Sequence, residues 1–168
     1  LSAAVFEGVP GDPVHGHGNH LDITNDEGAL LVAEAGFVPP SPEGLDGDYN
    51  KLAVGAWRYT KKFPDNAATG TDDQQGVYLL SSYQFYHDAK AERGLGAFFR
   101  AGYADGNAVQ TEWDYQAGLV GQGCVPSRPA GELGVGISQA VNSSDFMINN
   151  AGSDRAEYQF EAYYRDEI

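Results

Sequence analysis

Polar and apolar residues alternate along most of this chain. The clearest case is 95–103, where Leu95, Ala97, Phe99, Ala101 and Tyr103 interleave with Gly96, Phe98, Arg100 and Gly102. A β-strand sends successive side chains to opposite faces, so this segment has one greasy face and one bearing a charge and two glycines. The same period recurs at 1–7, 29–37, 77–87, 113–121, 132–141 and 156–165. In 29–37, Leu31, Ala33, Ala35 and Phe37 oppose Leu30, Val32 and Glu34. In 132–141, Leu133, Val135 and Ile137 oppose Glu132, Gly134, Gly136 and Ser138. The segment 51–60 also reads as a strand, but its phase is ambiguous. Leu52, Val54 and Ala56 point one way, and Trp57 and Tyr59 the other. Eight strands are predicted, with no convincing helix.

The connections carry turn chemistry. Val38-Pro-Pro-Ser-Pro42 ends one strand because proline cannot donate to a ladder. Asp105-Gly-Asn107 breaks another. The polar stretches 8–26, 61–76 and 142–154 read as long loops, whereas 88–93 and 123–131 read as turns. Short turns at one rim and long loops at the other are the habit of outer-membrane barrels, with the short turns on the periplasmic side. Phe37, Trp57, Tyr59, Tyr103, Trp113, Tyr115 and Tyr164 fall near strand ends, where a barrel carries its aromatic girdles. Two architectures fit the alternation. In a soluble β-sandwich the greasy faces meet in a core; in a membrane barrel they face lipid and Arg100 faces a watery lumen.

Composition narrows the choice of function more than of fold. The chain has 168 residues, enough for one domain, and mean hydropathy is −0.40. Glycine is abundant, at 22 residues, which suits an all-β chain with tight turns. A formal charge of −14 argues against nucleic acid, whose phosphates need lysine and arginine. The single cysteine, Cys124, excludes an intrachain disulfide. No apolar run approaches the roughly 20 residues of a membrane helix. No signal peptide opens the chain, and alternation runs almost to both ends, so it reads as one segment of a larger protein.

Three constellations could carry chemistry. His15, His17 and His20 lie close together among Asp12, Asp22 and Asp26, as metal-binding imidazoles often do. The simpler reading is a solvated, flexible outer loop, and no metal site is predicted. Asp65, Asp72 and Asp73 could hold Ca²⁺, but lack the spacing of a calcium loop. Glycoside hydrolysis uses paired carboxylates, and Glu34, Asp114, Glu132, Glu157 and Glu161 sit on the polar faces. A lumen would carry such carboxylates anyway, and nothing sets two at catalytic separation. Neither an enzyme nor a cofactor is predicted.

Several stretches resemble a known family. They are Gly94-Leu-Gly-Ala-Phe-Phe-Arg-Ala-Gly-Tyr-Ala-Asp-Gly106, Ala117-Gly-Leu-Val-Gly-Gln-Gly123, Val125-Pro-Ser-Arg128 and Glu132-Leu-Gly-Val-Gly-Ile137. Gly8-Val-Pro-Gly-Asp-Pro13, Gly28-Ala-Leu-Leu-Val-Ala-Glu-Ala-Gly36, Gly55-Ala-Trp57 and Phe63-Pro-Asp65 fit as well. Taken in chain order they resemble the carbohydrate-selective (OprB-type) porins of Gram-negative outer membranes. The resemblance implies an all-β, antiparallel transmembrane barrel of roughly sixteen strands that passes small sugars by diffusion. Residues 1–168 would supply about eight of them as a single segment, without the family's N- and C-terminal strands. Eight strands closed on themselves would leave no aqueous channel. Small sugars and outer-membrane lipid are the expected partners, and a homo-oligomer stays open.

On that reading Arg100 is the leading sugar contact, because its fork of donors matches vicinal hydroxyls. Against lipid it would cost about 2–4 kcal/mol near the midplane. A salt bridge to a lumenal glutamate is its alternative role. Glu34, Gln84, Gln116, Gln159 and Glu161 would add polar contacts. Tyr78, Tyr86 and Trp57 could offer flat faces to a pyranose, although Trp57 fits a girdle equally well.

Overall fold

The structure, a computed structural model, describes residues 1–7, 28–39, 50–88, 90 and 93–166. The alternating segments form β1 (Ser2–Glu7), β2 (Ala29–Phe37), β3 (Lys51–Pro64), β4 (Thr71–Asp88), β5 (Arg93–Ala104), β6 (Thr111–Gln122), β7 (Glu132–Asn142) and β8 (Ala156–Arg165). Each pairs antiparallel with its neighbour in sequence, giving one eight-stranded up-and-down sheet in the order β1 to β8. Among the described residues β1 and β8 pair on one side only, so the sheet is open.

Register carries one side-chain phase across the sheet. Leu31 faces Val5, Ala35 faces Val54, and Ala56 faces Val77. Further along, Phe99 faces Ala117, Ala117 faces Ile137, and Ile137 faces Phe160. Every segment therefore sends its greasy residues to the same side. The ambiguous phase of β3 is settled: Leu52, Val54 and Ala56 join the apolar face, while Trp57 and Tyr59 lie on the polar one. Those two leave the predicted girdle, because their partners Val32 and Leu30 share the phase of Glu34.

Nothing covers the apolar face among the described residues. Leu95, Phe99, Leu133, Val135, Ile137, Tyr158 and Phe160 are all exposed, Phe160 by 76%. The buried apolar side chains are alanines: Ala29, Ala53, Ala104 and Ala108. A sandwich would sequester these large residues against a second sheet, so that alternative fails. The greasy face is instead framed by aromatics. Tyr103, Trp113 and Tyr115 cluster at one end, with ring centroids 4.6 and 6.2 Å apart in turn. Phe37, Tyr83, Phe85 and Tyr164 stand near the other. Leu95 to Tyr103 runs about 26 Å at ~3.3 Å per residue. Tilted by about 40°, that is roughly 20 Å of depth, near the ~25 Å apolar band of a membrane barrel.

Two expectations about connections change. Residues 61–76 are not a long loop: β3 and β4 run on past the greasy band, and 65–70 alone turn the chain. The connection 142–154 contains a short helix, α1 (Ser144–Asn149). Ser143 caps it, its Oγ accepting from the Phe146 N–H at 3.1 Å. Antiparallel order puts the 65–70 turn, the 105–110 turn and α1 at one rim, the helix rim. The end of β4 at Asp88, the start of β5 at Arg93 and the 123–131 connection lie at the opposite, Pro126 rim. The predicted loop 8–26 lies outside the described residues.

The helix rim is fastened through Asn66. Its Nδ2 donates to Gly106 O at 2.8 Å, Val109 O at 2.9 Å and Ser143 Oγ at 3.3 Å. Its N–H donates to Asn107 O at 2.7 Å, and its carbonyl accepts from Asn149 Nδ2 at 2.7 Å. One asparagine thus joins three successive turns by satisfying backbone carbonyls that would otherwise need water.

Candidate functional site

The polar face is a set of cross-strand rows. One row reads Glu34, Gly55, Tyr78, Gly102, Asp114, Ala140 and Glu157. The next reads Leu80, Arg100, Gln116, Ser138 and Gln159. Below it come Ser82, Phe98, Gly118, Gly136 and Glu161. The next row toward the Pro126 rim is Gln84, Gly96, Val120, Gly134 and Tyr163. Period-two strands in fixed register make such rows unavoidable.

Eight of the nine sequence-derived contact residues lie on this face: Arg100, Glu34, Gln84, Gln116, Gln159, Glu161, Tyr78 and Trp57. Tyr86 does not. A β-bulge between Gln84 and Tyr86 sets it opposite Leu95, on the greasy face. An extra residue in one strand reverses the phase beyond it, which the alternation of 77–87 did not betray.

Arg100 is exposed, and among the described residues it forms no ion pair. Its guanidinium carbon lies 5.7 Å from the centroid of the Phe98 ring, within cation–π range. The carboxylates take other partners. Glu34 accepts from Lys51 Nζ at 2.9 Å and Tyr78 Oη at 3.2 Å. Glu132 accepts from Tyr163 Oη at 2.8 Å and Arg165 Nη2 at 3.3 Å.

Phe98 is the residue the sequence reading passed over. Its ring lies over Gly118, where a Cβ would meet its edge at 2.5 Å, and reaches toward Gly136. Three more rings do the same: Trp57 over Gly76, Tyr78 over Gly55 and Tyr163 over Gly134. Each glycine leaves a hollow that lets an aromatic lie flat against the wall. The signal was present, since Phe98 shares a phase with Gly96, Arg100 and Gly102, but finding the facing glycines needed the register. Gly102 is no bare stretch of wall, because the Asp114 carboxylate lies over it. Phe98 also lines two hollows. One, of about 210 Å³, lies among Gln116, Ser138, Gln159 and Glu161; the other, of about 250 Å³, lies toward the Pro126 rim.

The metal candidates fare differently. His15, His17 and His20 lie outside the described residues. Asp65 accepts from the Thr69 N–H and Oγ1 at 2.7 Å each, and Asp73 pairs with Arg58 at 2.7 Å. Among the described residues no three such ligands gather.

An open sheet with one greasy and one polar, glycine-studded face matches a known family over its whole length. The model of the carbohydrate-selective porin, OprB family, covers residues 1–168. The chain belongs to the OprB family of carbohydrate-selective porins. Among solved structures it is similar to the high-pH structure of Pseudomonas putida OprB, with a TM-score of 0.66 at 23% identity. That alignment takes in 82% of this chain and 39% of the other, so the chain spans about two-fifths of the length of the porin it matches. Comparison with curated proteins found no match. The all-β antiparallel fold is thus part of a larger porin barrel, and the family resides in the outer membrane of Gram-negative bacteria.

Proposed function

We propose that this porin segment forms part of the wall of a passive channel through which small sugars cross the outer membrane. The observation that carries the reading is Arg100, an exposed lumenal guanidinium without an ion-pair partner among the described residues, lying over Phe98 and opposite Gln116. Its guanidinium donors and the amides of Gln116 and Gln159 can meet sugar hydroxyls, and the Phe98 ring can meet the apolar face of a pyranose. Each hydrogen bond is worth about 0.5–1.5 kcal/mol net. That depth favours sugar in the lumen without trapping it, as conduction requires.

Further strands close the barrel, since an unpaired sheet edge has no place in hydrocarbon. The Pro126 rim faces the periplasm. Family membership suggests a channel rather than an enzyme, and diffusion needs no cofactor. The test uses the intact porin in liposomes. Arg100→Ala should lower the ratio of sugar flux to the flux of an uncharged, non-sugar solute of equal size by about two- to tenfold. An unchanged ratio with lowered thermal stability would make Arg100 a structural prop.

A further inference from the structure

The greasy face is not evenly filled. Over β5 to β8 it carries Leu95, Phe99, Leu119, Ile137 and Phe160, but over β1 to β3 it carries Ala3, Ala33, Ala35 and Ala56. The short side chains leave two adjoining hollows of about 650 and 630 Å³, which share Ala33, Ala56, Val77 and Tyr103. Along β3 they run from Arg58 to Val54, about 13 Å at ~3.3 Å per residue. The end nearest the helix rim is polar. Arg58, Gln75 and Asp105 line it, one row beyond the Tyr103 and Trp113 girdle. Outward charges are costly at the bilayer midplane but cheap at this depth, near the interface. Arg58 Nη2 donates to Asp73 Oδ2 at 2.7 Å, and Lys62 Nζ stands 4.0 Å from the same carboxylate. Two cations thus share one acid. The Arg58 side chain is 56% exposed, and among the described residues its other guanidinium N–H groups have no partner. Asp105 Oδ1 accepts from the Asn107 N–H at 3.3 Å, which leaves its second oxygen open.

We propose that these hollows seat one phosphorylated glycolipid of the outer leaflet. Its phosphate takes Arg58 and Lys62, a sugar hydroxyl donates to Asp105, and an acyl chain lies over Ala56 and Ala33. Charge and shape select that occupant. A guanidinium presents a fork that matches phosphate, and basic side chains at the membrane surface hold anionic headgroups. Asp105 repels a second phosphate but accepts from hydroxyls, so a headgroup carrying both groups fits better than a bare phosphodiester. The alanine floor admits an acyl chain where leucine or phenylalanine would fill the space. Close packing of that kind is what drives association inside a bilayer, where burial from water is not available. A second copy of the chain fits less well. At the girdle row the outward residues of β6 to β8 are Trp113, Val141 and Ala156, which offer Arg58 no acid. Placing the helix rim in the outer leaflet rests on the channel topology proposed above, but the site does not depend on sugar passage.

The experiment adds diphosphoryl lipid A to the intact porin in detergent and follows retained lipid by native mass spectrometry. Two variants attack the site differently. Arg58→Gln removes the phosphate contact, and Ala56→Phe fills the hollow from its floor. Heat-modifiable migration first establishes that each variant forms a barrel. The wild type should retain one lipid A per chain. Both variants should hold it roughly tenfold more weakly, the scale of one lost hydrogen bond to a charged group. Sugar flux into liposomes should stay unchanged in both, because both side chains lie on the greasy face. No retention by the wild type, or equal retention by the wild type and both variants, overturns the site. Weakening in Ala56→Phe alone overturns the phosphate contact. Phosphatidylglycerol held as tightly as lipid A overturns the choice of a glycolipid. A lipid-free oligomer that Ala56→Phe disperses overturns the lipid and gives the hollows to a second copy.

Discussion

At the residue scale the lumenal wall is shaped by what glycine lacks. Gly118 lets the Phe98 ring lie against β6, and a Cβ there would meet both the ring and the Val135 carbonyl, the latter at 2.7 Å. Gly118→Ala should therefore push Phe98 into the lumen, narrow the conductance, and destabilise the barrel by about 1–3 kcal/mol, as overpacking does. Urea unfolding in lipid vesicles reads the stability, and planar bilayers read the conductance. An unaltered conductance would mean that the ring does not border the open pore. Individual side-chain roles were only half legible in the sequence. Arg100 declared itself by its phase, because a charge opposite Leu95, Ala97 and Phe99 has one sensible direction. Phe98 did not, because a phenylalanine on a polar face makes sense only when the glycines opposite it on other strands are known.

At the element scale, facing is the strongest statement the chain makes. Ala117 lies on the greasy side of β6, on the row between those of Tyr115 and Tyr83, and Gln116 on the polar side of the same strand. Ala117→Arg should cost about 2–4 kcal/mol near the bilayer midplane, whereas Gln116→Arg should cost little. Equal costs for the two, measured by folding titrations into vesicles, would reject the assignment of faces. Strand existence was legible in every segment because a period of two recurs in each, and phase was legible outside β3 and the Tyr86 end of β4. Strand ends were not. β3 and β4 carry Lys61, Lys62, Asp72 and Asp73 beyond the greasy band, and such residues look like loop until their ladder is seen. The bulge that turns Tyr86 outward was equally silent, since one extra residue leaves no mark in composition.

At the scale of the whole molecule, charge and rim geometry set how the channel behaves. Glu34, Asp114, Glu132, Glu157 and Glu161 share the lumenal face with Lys51, Arg100 and Arg165, so carboxylates prevail there. The intact pore should prefer cations, through like-charge repulsion of anions where the dielectric is low. The reversal potential across a potassium chloride gradient gives the sign, and anion preference would mean that the remaining wall outweighs this one. The fastening at Asn66 acts over the same arc. Because one side chain holds the 65–70 turn, the 105–110 turn and the cap of α1 together, this stretch of the mouth has few independent ways to move. Thermal flexing of loops across a pore is heard as flicker in its current. The wild-type channel should therefore be electrically quiet, and Asn66→Ala, which frees three turns at once, should make it noisy without changing which ions it prefers.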